Sequence, residues 1–436
     1  MDRSLKIGAS NKFFYYALGG HNTFNIRFRL SIPNLELDKL KESFNEALRR
    51  YPELGVQVCI KDNKLVSKIN DNDVVFRKYG SPSVCFGTDD TNGFMLYVLY
   101  GTDEIVISYY HGLTDAAGMK EFARCVMYLY SQKIGFELSP EELKELLSSI
   151  REASPAEYTE DLLDPYTKYG DSEAVPEYVF ENQGAYKLPL KEDYDDEKIC
   201  YSAEISFDFA PVLNEIKELG VSVTPFMLDM VVRGIFSGFA VGDETVITML
   251  PVDMRKAFGS KNVVNFSDSV FLSFTSDNMK LPIDKRCARI KDMIKKQSSV
   301  DSFAKLMGDK ADTVKSFEES SLPLTEVQSQ INAPPQDDFN PLTVVTTYLG
   351  NMTLMSGLDR LVTDMDMYAS AWGNAILVSV CKNEVRLQIM TTSKENSIAE
   401  AVYNSLVKDG FNPKMEPNKR IYRDLMMSER LYNEQL

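Results

Sequence analysis

The segment Tyr109-Tyr110-His111-Gly112-Leu113-Thr114-Asp115-Ala116-Ala117-Gly118 carries the residue types best suited to chemistry. A strand-like apolar run over residues 104–110 ends where the histidine begins. A helical pattern opens at the aspartate four residues later. Loops at strand ends are where a rigid scaffold presents reactive groups. A neutral imidazole near pH 7 can take a proton from a hydroxyl or an amine as that group attacks a carbonyl. The same residues also allow a plain structural reading, in which Asp115 caps the next helix and His111 is a hydrogen-bonded loop residue. The local pattern leaves both open.

Few other residues compete. The 436-residue chain has two histidines, His21 and His111. Two cannot build a multi-histidine metal centre, so no metal is expected. The six cysteines form no CxxC pair and lie in apolar runs, as buried reduced thiols of a cytoplasmic protein do. There is no GxSxG elbow, and Thr114 is the only hydroxyl in the HGLTDAAG run. A covalent intermediate on such a nucleophile is therefore not expected. Tyr110, Gly112 and Thr114 flank His111 and are candidates for the wall of its site. His21, in an aromatic stretch after two glycines, and Trp372, the only tryptophan, are candidates for the same wall. A helix over residues 284–297 carries Lys285, Arg286, Arg289, Lys291, Lys295 and Lys296. It reads either as a solvated face or as a partner for phosphates.

These residues need elements to hold them. Residues 22–32 alternate Phe24, Ile26, Phe28, Leu30 and Ile32 on one face, a half-buried strand. Residues 38–51 place Leu40, Phe44, Ala47, Leu48 and Tyr51 on one helical face. Strands are expected over 56–60 and 64–69, a hairpin over 94–110, and a helix over 119–131. Residues 154–198 are rich in Asp, Glu, Tyr and Pro and read as a surface crossover. A second α/β region follows, with strands over 201–207, 246–250, 263–274, 343–349, 375–380 and 385–391. Its helices are expected over 211–219, 224–239, 284–297 and 397–407. This divides the chain into an N-terminal half (1–153), a linker (154–198) and a C-terminal half (199–436). Laying residues 104–110 over 384–390 aligns two strand–loop–helix units, with Thr391 opposite His111 and Glu395 opposite Asp115.

The net charge is −16 and the pI about 4.8. Phosphate contacts dominate nucleic-acid affinity, so no nucleic-acid partner is expected. No run of 18 uninterrupted apolar residues occurs, and no membrane span is expected. The N-terminus lacks a signal-peptide apolar core, which also fits a cytoplasmic protein.

HxxxD at a strand-to-helix junction, here His111 and Asp115, resembles the motif of the CoA-dependent acyltransferases. That superfamily includes chloramphenicol acetyltransferase, plant BAHD acyltransferases, alcohol acetyltransferases and the condensation domains of nonribosomal peptide synthetases. Arg50-Tyr51-Pro52-Glu53-Leu54 looks like the RxPxL-type end of its first helix. Pro251-Val252-Asp253-Met254-Arg255, followed by Asn262-Val263-Val264-Asn265-Phe266, looks like its PVxxR…GNxxN-type segment. The chain departs from the pattern in three places. Tyr110 stands where condensation domains have a first histidine, Ala116 stands where a glycine is common, and no DFGWG motif occurs; Tyr368 to Gly373 is a distant counterpart. These departures fit a stand-alone alcohol acetyltransferase-like protein.

The resemblance implies an α/β fold of two chloramphenicol acetyltransferase-like halves, each a mixed sheet flanked by helices, with an active-site channel between them. It implies His111 as general base, acting directly on the acceptor of an acyl group. It makes Asp115 a structural residue paired with Arg255. Acyl-CoA enters as co-substrate with no tightly bound cofactor, and the acceptor is an alcohol. The alternatives are a condensation-type protein that acylates an amine from a carrier-protein thioester, and a catalytically silent member.

Overall fold

The computed structural model describes residues 5–17, 24–171, 173, 185–189, 199–331, 342–355, 357–370, 374–422, 424–425 and 430–433. His21 and Trp372 lie outside the described residues.

Strand β1 (Asn25–Ser31) is the first strand of the N-terminal half and lies inside its sheet. Its Ile26, Phe28 and Leu30 are buried on one face, as the alternation predicts. The strands that follow are β2 (Val56–Lys61), β3 (Lys64–Ile69), β4 (Phe76–Lys78), β5 (Leu96–Tyr100) and β6 (Glu104–Tyr110). The helices Leu37–Arg50 and Ala116–Ile134 pack on the apolar face of this sheet. Phe44 and Phe122 meet edge to face there, with ring centroids 5.1 Å apart.

The C-terminal half contains β7 (Ile199–Asp208), β8 (Val246–Asp253), β9 (Ser267–Phe274), β10 (Val344–Asn351), β11 (Asp364–Ser370), β12 (Ala375–Cys381) and β13 (Glu384–Thr391). Three short strands close the chain: β14 (Lys414–Met415), β15 (Lys419–Tyr422) and β16 (Tyr432–Asn433). One sheet runs β11-β1-β6-β5-β4. A larger one runs β14-β7-β13-β12-β10-β8-β9, with β15 also on β7, and a small one runs β16-β2-β3. Both main sheets are mixed: β4 and β5 are parallel, as are β10 and its two neighbours. The fold is thus α/β, two halves each built on a mixed sheet flanked by helices.

The halves repeat one topology. In the first, β1, a helix, β5, β6 and a helix follow in order, with β6 between β1 and β5. In the second, β7, the helix Val223–Gly238, β12, β13 and the helix Ser397–Lys408 do the same, with β13 between β7 and β12. Asp115 caps one final helix and Asn396 caps the other. In the second half the two helices pack closely, because a Cβ on Gly238 would come 2.2 Å from that of Ala401.

Two segments cross between the halves. Strand β11 leaves the second half and pairs antiparallel with β1, setting Arg27 opposite Tyr368 and Arg29 opposite Asp366. The C-terminal segment lays β15 on β7 and then enters the first half, where β16 pairs with β2. Between them, Asp424 is fully buried. It accepts from the Tyr97 hydroxyl at 2.9 Å, Ser108 Oγ at 2.8 Å and Arg27 Nη2 at 3.2 Å.

The stretch read as a surface crossover is partly internal. It holds the short helices Glu160–Leu163 and Pro165–Tyr169, with Leu163, Asp164 and Tyr166 buried. Asp164 accepts from the Ala9 amide at 2.8 Å and Lys6 at 2.9 Å. All six cysteines are buried and none is in a disulfide. Among the described residues no single helix is long and apolar enough to cross a membrane.

Candidate active site

His111 is the first residue after β6. Its amide donates to the Phe24 carbonyl at 2.6 Å, which continues the β1–β6 ladder one residue past the strand. Its ring lies against Phe14, with centroids 4.7 Å apart. Nδ1 is 3.1 Å from the Thr114 carbonyl oxygen and 3.2 Å from Asn265 Nδ2. A carbonyl only accepts, so the first contact is a bond only when Nδ1 carries the proton. The Asn265 amide has its own acceptor in the His111 carbonyl at 2.9 Å. The network therefore assigns the Nδ1–H tautomer, and Nε2 is the basic nitrogen. Desolvation of the half-buried ring pulls its pKa below 6.5, against the opposing attraction of Asp115. The shift favours the neutral imidazole.

Asp115 is both a helix cap and one member of an ion pair. Oδ1 accepts from the Gly118 amide at 2.9 Å. Oδ2 accepts from the Phe266 amide at 2.8 Å and from Arg255 Nη1 at 2.9 Å. Arg255 spends its other donors on the 262–266 loop, with Nε on the Asn262 carbonyl and Nη2 on that of Val264, both at 2.7 Å. Asp253 shares Nη1 at 2.8 Å. The two sequence-predicted partners thus meet, 140 residues apart in the chain, and stitch the halves together beside the imidazole.

The seam is tight. Thr114 Oγ1 donates to the Val263 carbonyl at 2.5 Å. A Cβ on Gly118 would come 2.2 Å from that same carbonyl oxygen. No larger residue fits there without moving one half away from the other.

Tyr110, Gly112 and Thr114 were expected along a channel wall. All three are buried, and their polar groups are taken up inside the protein. The Tyr110 hydroxyl donates to the Phe14 carbonyl at 2.7 Å. Asn11 Nδ2 donates to the carbonyls of Gly112 at 2.6 Å and Leu113 at 2.9 Å. Asn11 and its helix, Ala9–Tyr16, carry no sequence signal that ties them to the histidine. Asn265 stands in a quoted motif, but its contact with the imidazole edge becomes visible only in the fold. Arg286, from the basic helix, is not free to meet phosphates. It is buried in a two-pronged pair with Asp229, at 2.6 and 3.0 Å. Lys285 and Lys296 remain on the solvated face.

A half-open cavity of about 590 Å³ lies between the polar face of the first sheet and that of the second, and its lining does not include the His111 loop. Arg27 and Arg29 of β1, Tyr97 of β5 and Asp366 of β11 line one side, and Glu204 and Gln388 line the other.

No protein-family model matches the chain, and no curated protein matches it by sequence. Solved structures do match by fold. Fusarium sporotrichioides TRI101, complexed with coenzyme A and T-2, is similar with a TM-score of 0.58 at 12% identity, over 94% of this chain and 99% of that one. The epimerization domain from the third module of tyrocidine synthetase B gives 0.57 at 10% identity, over 94% and 96%. Polyketide synthase associated protein 5 from Mycobacterium tuberculosis gives 0.58 at 12% identity, over 92% and 97%. The strand–helix repeat, the exchanged strand and these neighbours agree: the chain has the chloramphenicol acetyltransferase-like fold of the CoA-dependent acyltransferases.

Proposed function

We propose that the protein transfers an acyl group from a CoA thioester to an alcohol, with His111 as general base. The observation that carries the reading is the clamped imidazole. Its Nδ1–H is tied to Thr114, which leaves Nε2 as a neutral base. In the proposed step Nε2 takes the hydroxyl proton as the oxygen attacks the thioester carbonyl. The tetrahedral intermediate then collapses, the carbon–sulfur bond breaks, and the imidazolium returns the proton to the departing thiolate. Residues 1–153 and 199–436 act as the two halves that bring acceptor and thioester together, joined through 154–198. Asp115 and Arg255 hold the loop and take no part in proton transfer.

Acyl transfer is direct, so both substrates are bound at once and the rate draws on proximity as well as on the base. Free thiol released from a panel of acyl-CoA donors with alcohol and amine acceptors is the test. Sequential kinetics and unmodified intact mass after incubation with acyl-CoA alone are expected. An acyl adduct discharged by the added alcohol would refute direct transfer. The fold shared with peptide synthetases supports one second reading, an amine acceptor and a carrier-bound thioester. Turnover of pantetheine-linked but not CoA-linked donors would establish it.

A further inference from the structure

Arg27, Arg151, Arg233 and Arg286 leave solvent in the company of a carboxylate. Arg124 leaves it without one. It is half-buried on the helix that Asp115 caps, and its Nε is sealed from water with no acceptor. Lys120 stands one turn before it on the same face. Its Nζ donates to the Asn351 carbonyl at 2.6 Å, at the end of β10, so the contact crosses from the first half to the second. Neither cation forms an ion pair among the described residues.

The carboxylates nearby are held by other groups. Asp359 feels the charges of Lys120, Arg124 and Lys382, but it accepts from the Leu354 amide at 2.9 Å. Glu121 accepts from the Tyr51 hydroxyl at 3.1 Å and also feels Arg151 and Arg255. Glu145 acts on Arg124 through its field alone. Burial first, and the Arg124 charge second, pull the Lys120 ammonium down to about 8. Burial also works against the charge on Arg124. Two cations that repel each other while losing water are offset by an anion that reaches both.

We infer that Lys120 and Arg124 form a binding site for a phosphate group at the seam between the two halves. Lys120 keeps two unused N–H donors, and Arg124 keeps the Nε edge that grips oxyanions in two-pronged fashion. Side chains one turn apart have Cβ atoms about 5–6 Å apart, a span that a tetrahedral oxyanion bridges. A flat carboxylate is already satisfied by one guanidinium. The helix sets the pair about 8–14 Å beyond Asp115 along its axis. Such a group arrives either as free phosphate or on the phosphate-bearing carrier of a thioester. The site stands apart from the acyl-transfer reading, because phosphate alone occupies it.

Titration calorimetry with inorganic phosphate, acetate, coenzyme A and pantetheine tests the inference. Phosphate is expected to bind the wild-type protein, with acetate about tenfold weaker. Arg124→Gln and Lys120→Gln should each weaken phosphate about tenfold or more. Each removes an unpaired charge, so both should fold, as circular dichroism checks. Lys285→Gln, on the solvated face of another helix, should change nothing. Coenzyme A bound about tenfold tighter than pantetheine, with the difference lost in Arg124→Gln, assigns the phosphate to a thioester carrier. Phosphate binding with coenzyme A and pantetheine equal assigns it to a free anion. No heat from phosphate or coenzyme A, equal binding of acetate, or undiminished binding in both folded variants would each overturn the site. Phosphate binding without thiol release from any acyl-CoA sinks the acyltransferase reading and spares the site; thiol release with no probe weakened in the two variants does the reverse.

Discussion

Replacing Asp115 by alanine tests the clamp most directly. The carboxylate is 4% exposed and accepts three hydrogen bonds, from Gly118, Phe266 and Arg255. Loss of the helix cap alone costs about 1 kcal/mol. Leaving a buried arginine without its partner costs about 3–5 kcal/mol. Asp253, half exposed, recovers part of that through its own contact with Arg255. The expected total is about 3–5 kcal/mol. An unfolding entropy of about 2.1 cal/mol/K per residue over the chain converts this to a Tm lowered by about 3–5 °C. Arg255→Ala should cost a similar amount. The double variant should fall short of the sum by at least about 1 kcal/mol, because the pair is lost only once. Urea denaturation of the four proteins gives the cycle. Single variants as stable as wild type, or effects that add within about 0.5 kcal/mol, would refute the clamp.

His111→Ala should lower kcat by about 10²–10⁴-fold with the fold intact; wild-type turnover would end its assignment as base. Because burial lowers the imidazole pKa, the acid limb of kcat/KM should lie below pH 6.5, and a limb centred above that value would contradict the buried ring. Gly118→Ala drives a methyl into the Val263 carbonyl and should cost about 1–3 kcal/mol; an unchanged urea midpoint would show that the seam can open without strain. Asp366 has a folded pKa of about 6 against an ordinary 3.8, so the folded state binds its proton more tightly than the unfolded one. Stability should therefore rise as pH falls through 6, by about 1 kcal/mol between pH 7 and pH 5, and Asp366→Asn should remove that gain. Identical pH–stability curves for the two proteins would exclude Asp366 as the source.

Strand β6 and the helix after it were legible in the sequence because periodicity changes from 2 to 3.6 at His111. The motif residues Asp115 and Arg255 were legible as partners only through family resemblance; neither propensity nor spacing joins positions so far apart. The strand expected from residue 263 begins at Ser267 instead, since the carbonyls of Asn262 and Val264 go to Arg255 and that of Val263 to Thr114 rather than to a ladder. Strand β11 was not read at all. Asp364 and Asp366 break its apolar pattern, and their cost is met by Arg29, Arg386 and Gln388 from other strands. The helix Ala9–Tyr16 was missed for a related reason: its aromatic residues pack on several sides, so no single face stands out.

The exchanged strand bears on how the chain is made. On the ribosome, β1 and β6 emerge early, but the neighbour that covers the far edge of β1 follows some 250 residues later. At about 5–20 residues per second that is on the order of 10–50 s. Throughout that interval β1 presents an open edge, a template for pairing with another nascent chain. The half that carries His111 is also without Asp424, which arrives later still and satisfies Tyr97, Ser108 and Arg27. The first half therefore cannot complete its folding until β11 and Asp424 have both been made. A fragment ending near residue 198 should expose that edge and aggregate, and chaperone binding during translation should peak after β6 emerges and fall once β11 clears the exit tunnel.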